Sequence, residues 1–248
     1  MRNLYIIILF VIVIAGCDKN SSSDKMNASS GNTGVAGSLA QFTLIGNYIY
    51  AVSSHNLYTV DISNPQHPST VKQDIFNYDM ETIYPYKNRL FIGSRTGIYI
   101  YSIDTPSAPR LMGIAKHGRS CDPVVANDTV SFSTLKSSTY CGPATSGLYV
   151  YDVHDLNNPS LKKTIPINEP IGLGMADSAL YVCCSGEGLR VFNIKNAYEP
   201  VERLKIPDSD FKDVIPYDDL LICWVADGIS LYDITDRLHP VFVKKLSN

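Results

Sequence analysis

Carboxylates are the first chemistry the sequence offers. Asp122 and Asp213 fall at equivalent places in two of five similar stretches, where the other three carry Gln41, Thr82 and Gly172. Two carboxyl groups facing one another across a cleft can act as general acid and as nucleophile or base in glycoside cleavage, so these two aspartates are the weak catalytic candidates. Asp79, Glu81, Arg119, Glu169, Asp208 and Asp210 lie just before those places and form a charged band. Tyr78 and Tyr140 add rings able to stack on a sugar or peptide. Cys121 and Cys141 are candidates for a disulfide, with two free thiols as the alternative. Cys183, Cys184 and Cys223 sit among small apolar residues and read as buried thiols that pack as hydrophobes. No His/Cys cluster has zinc spacing and no Asp-x-Asp-x-Asp-Gly loop supports calcium. The expectation is therefore no metal and no cofactor.

The elements that must position these residues are written as an internal repeat. Leu57–Ile62 recurs as Ile98–Ile103, Leu148–Val153, Leu189–Ile194 and Ile229–Ile234, and each copy is trailed by a proline: Pro68, Pro109, Pro159, Pro200 and Pro240. Each hexad is almost entirely β-branched, aromatic or aliphatic, the mark of a strand buried on both faces. The Asn/Asp-rich stretch behind it is turn chemistry, in which Asp61, Ser102, Asp152, Asn193 and Asp233 are expected to accept backbone N–H groups. Two short strands around a polar turn precede each hexad and a weaker strand follows each proline. Four antiparallel strands in about 42 residues, repeated without a helical period, is the signature of propeller blades. The fold class expected is all-β, a single five-bladed β-propeller over residues 38–248, closed by packing of the first blade on the fifth or, in a shifted phase, by strand exchange between them.

The hexads and their trailing prolines resemble LVIVD repeats, found mainly in secreted bacterial lipoproteins. The resemblance implies a β-propeller and carries no agreed activity or catalytic motif. In the phasing adopted, the loops between outer and inner strands and those between the two middle strands emerge on one face. Blade 3 carries an insertion there, Lys136 to Ser146, which contains Tyr140 and Cys141, and Cys121 lies on the same face.

The N-terminus supplies an address. Met1-Arg2-Asn3 precedes the apolar run Leu4–Ala15, too short to span a bilayer as a helix and suited to a secretory signal. The run ends Ile14-Ala15-Gly16-Cys17, which resembles the bacterial lipobox. That resemblance implies cleavage after residue 16 and attachment of lipid, palmitate included, to Cys17. Residues 17–37 are Ser/Asn/Gly-rich and read as a flexible tether. The expected location is the bacterial cell envelope, with outer membrane or cell surface favoured over inner membrane.

Composition narrows the function classes. In 248 residues, 45% are hydrophobic and 18% charged, which excludes wholesale disorder. A net charge of −3 argues against a nucleic-acid partner, which requires a basic stripe. No phosphate loop, His-Glu-x-x-His or Gly-x-Ser-x-Gly occurs. The leading reading is a lipid-anchored binding or scaffolding module, more a binder than an enzyme. Its partners would be membrane lipid through Cys17 and a protein or glycan at the blade mouth, with Tyr78, Asp79, Glu81, Arg119, Tyr140, Glu169 and Asp210 on the binding face. The alternative is a glycan-active hydrolase or lyase.

Overall fold

A computed structural model describes residues 37–118, 123–136, 145–207 and 210–247. These form eighteen strands and no helix. In chain order they are β1 (Phe42–Ile45), β2 (Tyr48–Asp61), β3 (Ser69–Tyr86), β4 (Arg89–Ser94), β5 (Gly97–Ser102), β6 (Arg110–Lys116), β7 (Val124–Ala126), β8 (Val130–Leu135), β9 (Gly147–Asp152), β10 (Ser160–Pro166), β11 (Pro170–Ala176), β12 (Ala179–Cys184), β13 (Gly188–Asn193), β14 (Val201–Ile206), β15 (Phe211–Tyr217), β16 (Leu220–Val225), β17 (Gly228–Asp233) and β18 (Val241–Ser247). Every pairing is antiparallel between sequence neighbours. The strands make one six-stranded sheet, β1 to β6, and three four-stranded sheets, β7–β10, β11–β14 and β15–β18.

The first sheet differs from the expected one sheet per repeat because β2 and β3 run on through bends. Extended over its full length, β2 would separate its ends by about 45 Å at the usual rise per residue. Yet the Ile62 N–H donates to the Asn47 carbonyl at 2.9 Å, so the segment folds back on itself, with Ser54 at φ 45° near the reversal. Residues 69–75 of β3 then pair with 56–61, and residues 82–86 pair with β4. The same closing hydrogen bond recurs from Ile103 to Asn88, Val153 to Thr129, Ile194 to Ser178 and Ile234 to Asp219. The repeat in the sequence is thus a repeat in the hydrogen bonding.

Burial follows position in the array. Four hydrophobic cores lie between successive sheet faces. The first joins Tyr50, Val52 and Leu57 to Ile83, Leu90 and Ile92, so the two halves of the six-stranded sheet pack face to face. The second joins Phe91 and Ile100 to Val124 and Tyr151. The third joins Phe132 and Val150 to Leu180 and Val182, and the fourth joins Tyr181 and Cys183 to Leu221 and Cys223. Middle strands β8 and β12 are buried along their whole length, whereas β16 alternates. Both faces of a hexad are buried only where the sheet has a neighbour on each side. Among the described residues no hydrophobic core joins β1–β2 to β15–β18, and the first unit meets the last through Ser38 and Leu39, which donate to Asp213 of β15.

Two local devices recur. Asp61, Asp152, Asn193 and Asp233 each accept the N–H two residues on, at 2.7–3.0 Å, and the Ser102 hydroxyl does so from Asp104 at 3.1 Å. The sequence expectation for these turns matches that geometry. A glycine also opens the hexad strand in four repeats, and at Gly188 (φ 94°) an added Cβ would lie 2.0 Å from the Ile206 carbonyl oxygen. Any side chain there must push the outer strand away.

Two outcomes follow. Gly188→Ala should destabilise the fold by about 3–4 kcal/mol, combining backbone strain with overpacking. Gly186→Ala, at φ 68° with no atom within 4 Å, should cost only about 1–2 kcal/mol. Equal losses in urea denaturation would show that the carbonyl contact is not what selects glycine. Separately, the turn N–H groups and hydroxyls hold the carboxyls of Asp61, Asp152 and Asp233 below the ordinary aspartate value. Acids lowered in the folded state contribute stability above their unfolded pKa and lose it as pH falls through the folded one. Replacing all three by asparagine, which still offers an acceptor, should shrink the fall in urea midpoint on acidification. A fall of unchanged size would rule the turns out as its source.

Candidate functional site

The described acidic residues separate into two environments. Asp79, Glu169 and Asp210 hold equivalent positions, because their carbonyls accept the N–H groups of Arg95, Ser185 and Ala226, just past β4, β12 and β16. That is the end of the array where the sequence reading placed a binding face. Each carboxylate there has a basic neighbour. Arg95 reaches Asp79 at 3.2 Å and Glu81 at 3.3 Å, His55 lies 3.6 Å from Asp79, Lys136 pairs with Glu169, and Lys212 pairs with Asp210 at 2.5 Å. The Lys212 ammonium also holds the Asp210 carboxyl below its usual range. The structure brings Asp79 and Glu81 together on one guanidinium. Arg95, Lys136 and Lys212 were missed by sequence reasoning, which counted acids along the repeat and had no means of pairing them across loops.

Asp213 belongs to a different place. It is buried, and its carboxylate accepts from the Ser38 hydroxyl at 2.9 Å, the Leu39 N–H at 3.2 Å and its neighbour Val214 N–H at 3.0 Å. Ser38 in turn accepts from the Leu173 N–H at 2.8 Å, and the Ala40 carbonyl accepts from the Ile83 N–H at 2.7 Å. Residues 37–40 therefore form a strap that ties β3, β11 and β15 together. Gly37 and Gly172 both press on this carboxylate, each so close that a Cβ would overlap an Asp213 oxygen. Burial pushes the Asp213 carboxyl up while its hydrogen bonds oppose the rise. Its lone pairs are engaged by the strap, an arrangement suited to holding chain rather than to moving protons on a substrate.

The three described cysteines are free and buried. Desolvation raises all three thiols, Cys184 to about 12, so they lack the thiolate character that reactivity needs. Cys17, Arg119, Cys121, Asp122, Tyr140, Cys141 and Asp208 lie outside the described residues, as does the side chain of Tyr78. Among the described residues no group of three His, Cys, Asp or Glu could hold a metal ion. An apolar cleft lies between β14 and β17–β18, lined by Leu204, Ile206, Tyr232 and Phe242 with Lys245 at its side.

Comparison with known proteins addresses the fold. Residues 36–73 match the LVIVD repeat model, and no curated protein sequence matches the chain. Among solved structures, the computationally designed protein Ika8 superposes with a TM-score of 0.60 at 14% identity, over 84% of this chain and 61% of that one. AztD from Citrobacter koseri gives 0.56 at 13% identity, over 86% and 61%. BamB from Moraxella catarrhalis gives 0.50 at 13% identity, over 84% and 63%. The chain spans about three fifths of the length of these structures. It carries an LVIVD repeat in a β-propeller architecture.

Ser38→Ala removes one partner of Asp213 and the acceptor of Leu173, and should cost about 1–3 kcal/mol as buried polar groups lose their bonds. An acid raised in the folded state opposes folding once ionised, and this opposition fades as pH falls through its folded pKa. Asp213→Asn should therefore flatten that part of the pH profile and leave the Ser38 contact largely in place. A Ser38→Ala variant with an unchanged urea midpoint would show that the strap is not held by these bonds.

Proposed function

We propose that this chain is a lipid-anchored envelope protein whose five four-stranded units present a binding or scaffolding surface. The five recurring strand-closing hydrogen bonds support five units, and the sequence of residues 14–17 supports the anchor at Cys17. The contact surface is the end bearing Asp79, Glu81, Arg95, Lys136, Glu169 and Asp210, together with the insertion after Lys136. One observation carries this reading: each described acid at that end is engaged by a basic neighbour, Asp79 and Glu81 sharing Arg95. Such a surface offers paired charges to a protein or a polyhydroxylated ligand without a general acid poised beside a base. Rigid strands hold these loops while the loops supply recognition, the usual division of labour on a scaffold. The relatives' greater length leaves the partner's identity to experiment.

The anchor is tested by feeding cells an alkyne-bearing palmitate analogue. Wild-type chain should incorporate it and sediment with membranes, and Cys17→Ser should lose both properties. The surface is tested by affinity capture with the full chain. Deleting residues 137–144, or reversing charge with Arg95→Glu and Lys136→Glu, should reduce partner recovery at least tenfold while the urea midpoint holds. Recovery that survives both changes would move the contact surface elsewhere, and a labelled Cys17→Ser chain would remove the anchor.

A further inference from the structure

The cleft between β14 and β17–β18 lies between two units of the chain, at a place the earlier repeats fill with their own side chains. The second residue of the hexad points back toward the outer strand of the preceding unit. In three successive repeats that residue is Tyr99, Tyr149 and Arg190, and in the last it is Ser230. Tyr99 meets the Phe76 ring of β3 edge-on, with centroids 5.3 Å apart. The Tyr149 ring is buried, and its hydroxyl donates to the Thr145 carbonyl at 2.9 Å. Arg190 lies 5.6 Å from the Phe192 ring centroid and pairs with Glu202. Strand register makes Ser230 and Phe242 the counterparts of Arg190 and Glu202, opposite Lys245 and Tyr232 where those face Lys205 and Phe192. A hydroxymethyl group thus stands where the other repeats place a ring or a guanidinium.

The space left is about 520 Å³, the size of a small-molecule site. Leu204 and Ile206 of β14 form one wall. Tyr232 and Phe242 form the other, their rings edge to face at 5.6 Å. Among the described residues no carboxylate lines the cleft. Lys245 lines it, with its ammonium paired to the exposed Asp227. At the base is Ser230, 2% exposed, whose hydroxyl makes no hydrogen bond among the described residues. A buried hydroxyl without a partner is costly, and this one borders open space.

We propose that the cleft binds a small aromatic acid, a single ring carrying a carboxylate. The ring takes the place that Tyr99 and Tyr149 fill in earlier repeats, held between Ile206 and Phe242. The carboxylate accepts from the Ser230 hydroxyl and from the Lys245 ammonium, which cross-strand pairing puts side by side. The exposed pair with Asp227 holds Lys245 only weakly, so the ammonium is available to a ligand anion. Both walls belong to this chain, and the site is separate from the anchor and from the loop surface proposed above.

The test is calorimetric titration of the purified full chain with phenylacetate, and with uncharged phenylacetamide for comparison. Phenylacetate should bind saturably at one site per chain, at least fivefold more tightly than the amide. Ser230→Tyr, which installs the residue of the second and third hexads, should fill the cleft and weaken phenylacetate at least tenfold while the urea midpoint holds or rises. Two milder changes serve if that variant fails to fold. Ser230→Ala should weaken phenylacetate at least threefold. Lys245→Gln should do the same and leave phenylacetamide unchanged. Deleting residues 137–144 should leave all of these affinities as they are, which separates this site from the loop surface. Three results would overturn the proposal: no saturable heat with phenylacetate, full affinity in a folded Ser230→Tyr chain, or equal loss of acid and amide in Lys245→Gln.

Discussion

Face-to-face burial between successive sheets is the interaction on which everything else here depends. A four-stranded sheet of this size has two apolar faces and cannot bury either by itself. Each large side chain fully removed from water contributes about 1.5–3 kcal/mol, and residues such as Phe91, Phe132, Tyr151 and Tyr181 are all buried between sheets. Exposed ion pairs contribute about 0–1 kcal/mol each, so pairs such as Lys163–Glu199 or Lys205–Glu187 decorate the array rather than hold it. The glycine that opens each of the last four hexad strands acts within a sheet instead, because a Cβ there would meet a carbonyl oxygen of the outer strand: Ala115, Ile165, Ile206 or Leu246.

The axis imposes a second constraint. Inner strands converge, and the space between them must be filled or left to water. Here the strap at residues 37–40 bridges β3, β11 and β15, and Asp213 is the group that receives it. That choice is costly for a carboxylate in isolation, which explains why three donors surround it. It also explains why Asp213 differs from Gly172 and Thr82 at matching positions. Gly172 must be small because a Cβ would overlap the Asp213 oxygen and the Lys212 carbonyl. Thr82 is buried where the strap leaves toward β1. A position that looked like a ring of partly acidic repeats is one acid with a structural partner and neighbours cut to fit it.

Much of the fold was legible in the sequence because its cause is local. The hexads, the polar turns and the acceptor at the end of each hexad all act within a few residues, and Asp61, Asp152 and Asp233 are found doing what their type and place imply. What was not legible depends on distance. Ser38 and Asp213 are 175 residues apart, and nothing in either stretch announces the other. Arg95 and Lys136 are unremarkable in sequence, yet they decide whether Asp79, Glu81 and Glu169 are free acids or spent ones. The six-stranded first sheet was also unforeseen, since strand continuity through Ser54 and the 75–80 bend is a matter of backbone curvature rather than of composition.

Closure is the part of the fold that repetition says least about. Repetition predicts that each unit resembles its neighbours, and from resemblance it is natural to infer a ring. Resemblance of sequence, however, sets only the kind of interface each face can make, while closure depends on the angle between units and on what occupies the axis. The hexads at the two ends read like those in the middle: Leu57-Tyr58-Thr59-Val60 and Ile229-Ser230-Leu231-Tyr232 are as apolar in pattern as Leu148-Tyr149-Val150-Tyr151. Yet β9 is buried on both faces and β17 on one. An end strand destined for solvent on its outer face would carry polar residues at alternate positions. Those of β16 and β17 carry isoleucine, leucine and tryptophan instead. The alternation expected of a strand with one solvated face is therefore absent from β16 and β17, so their composition carries no sign that Trp224 lies exposed.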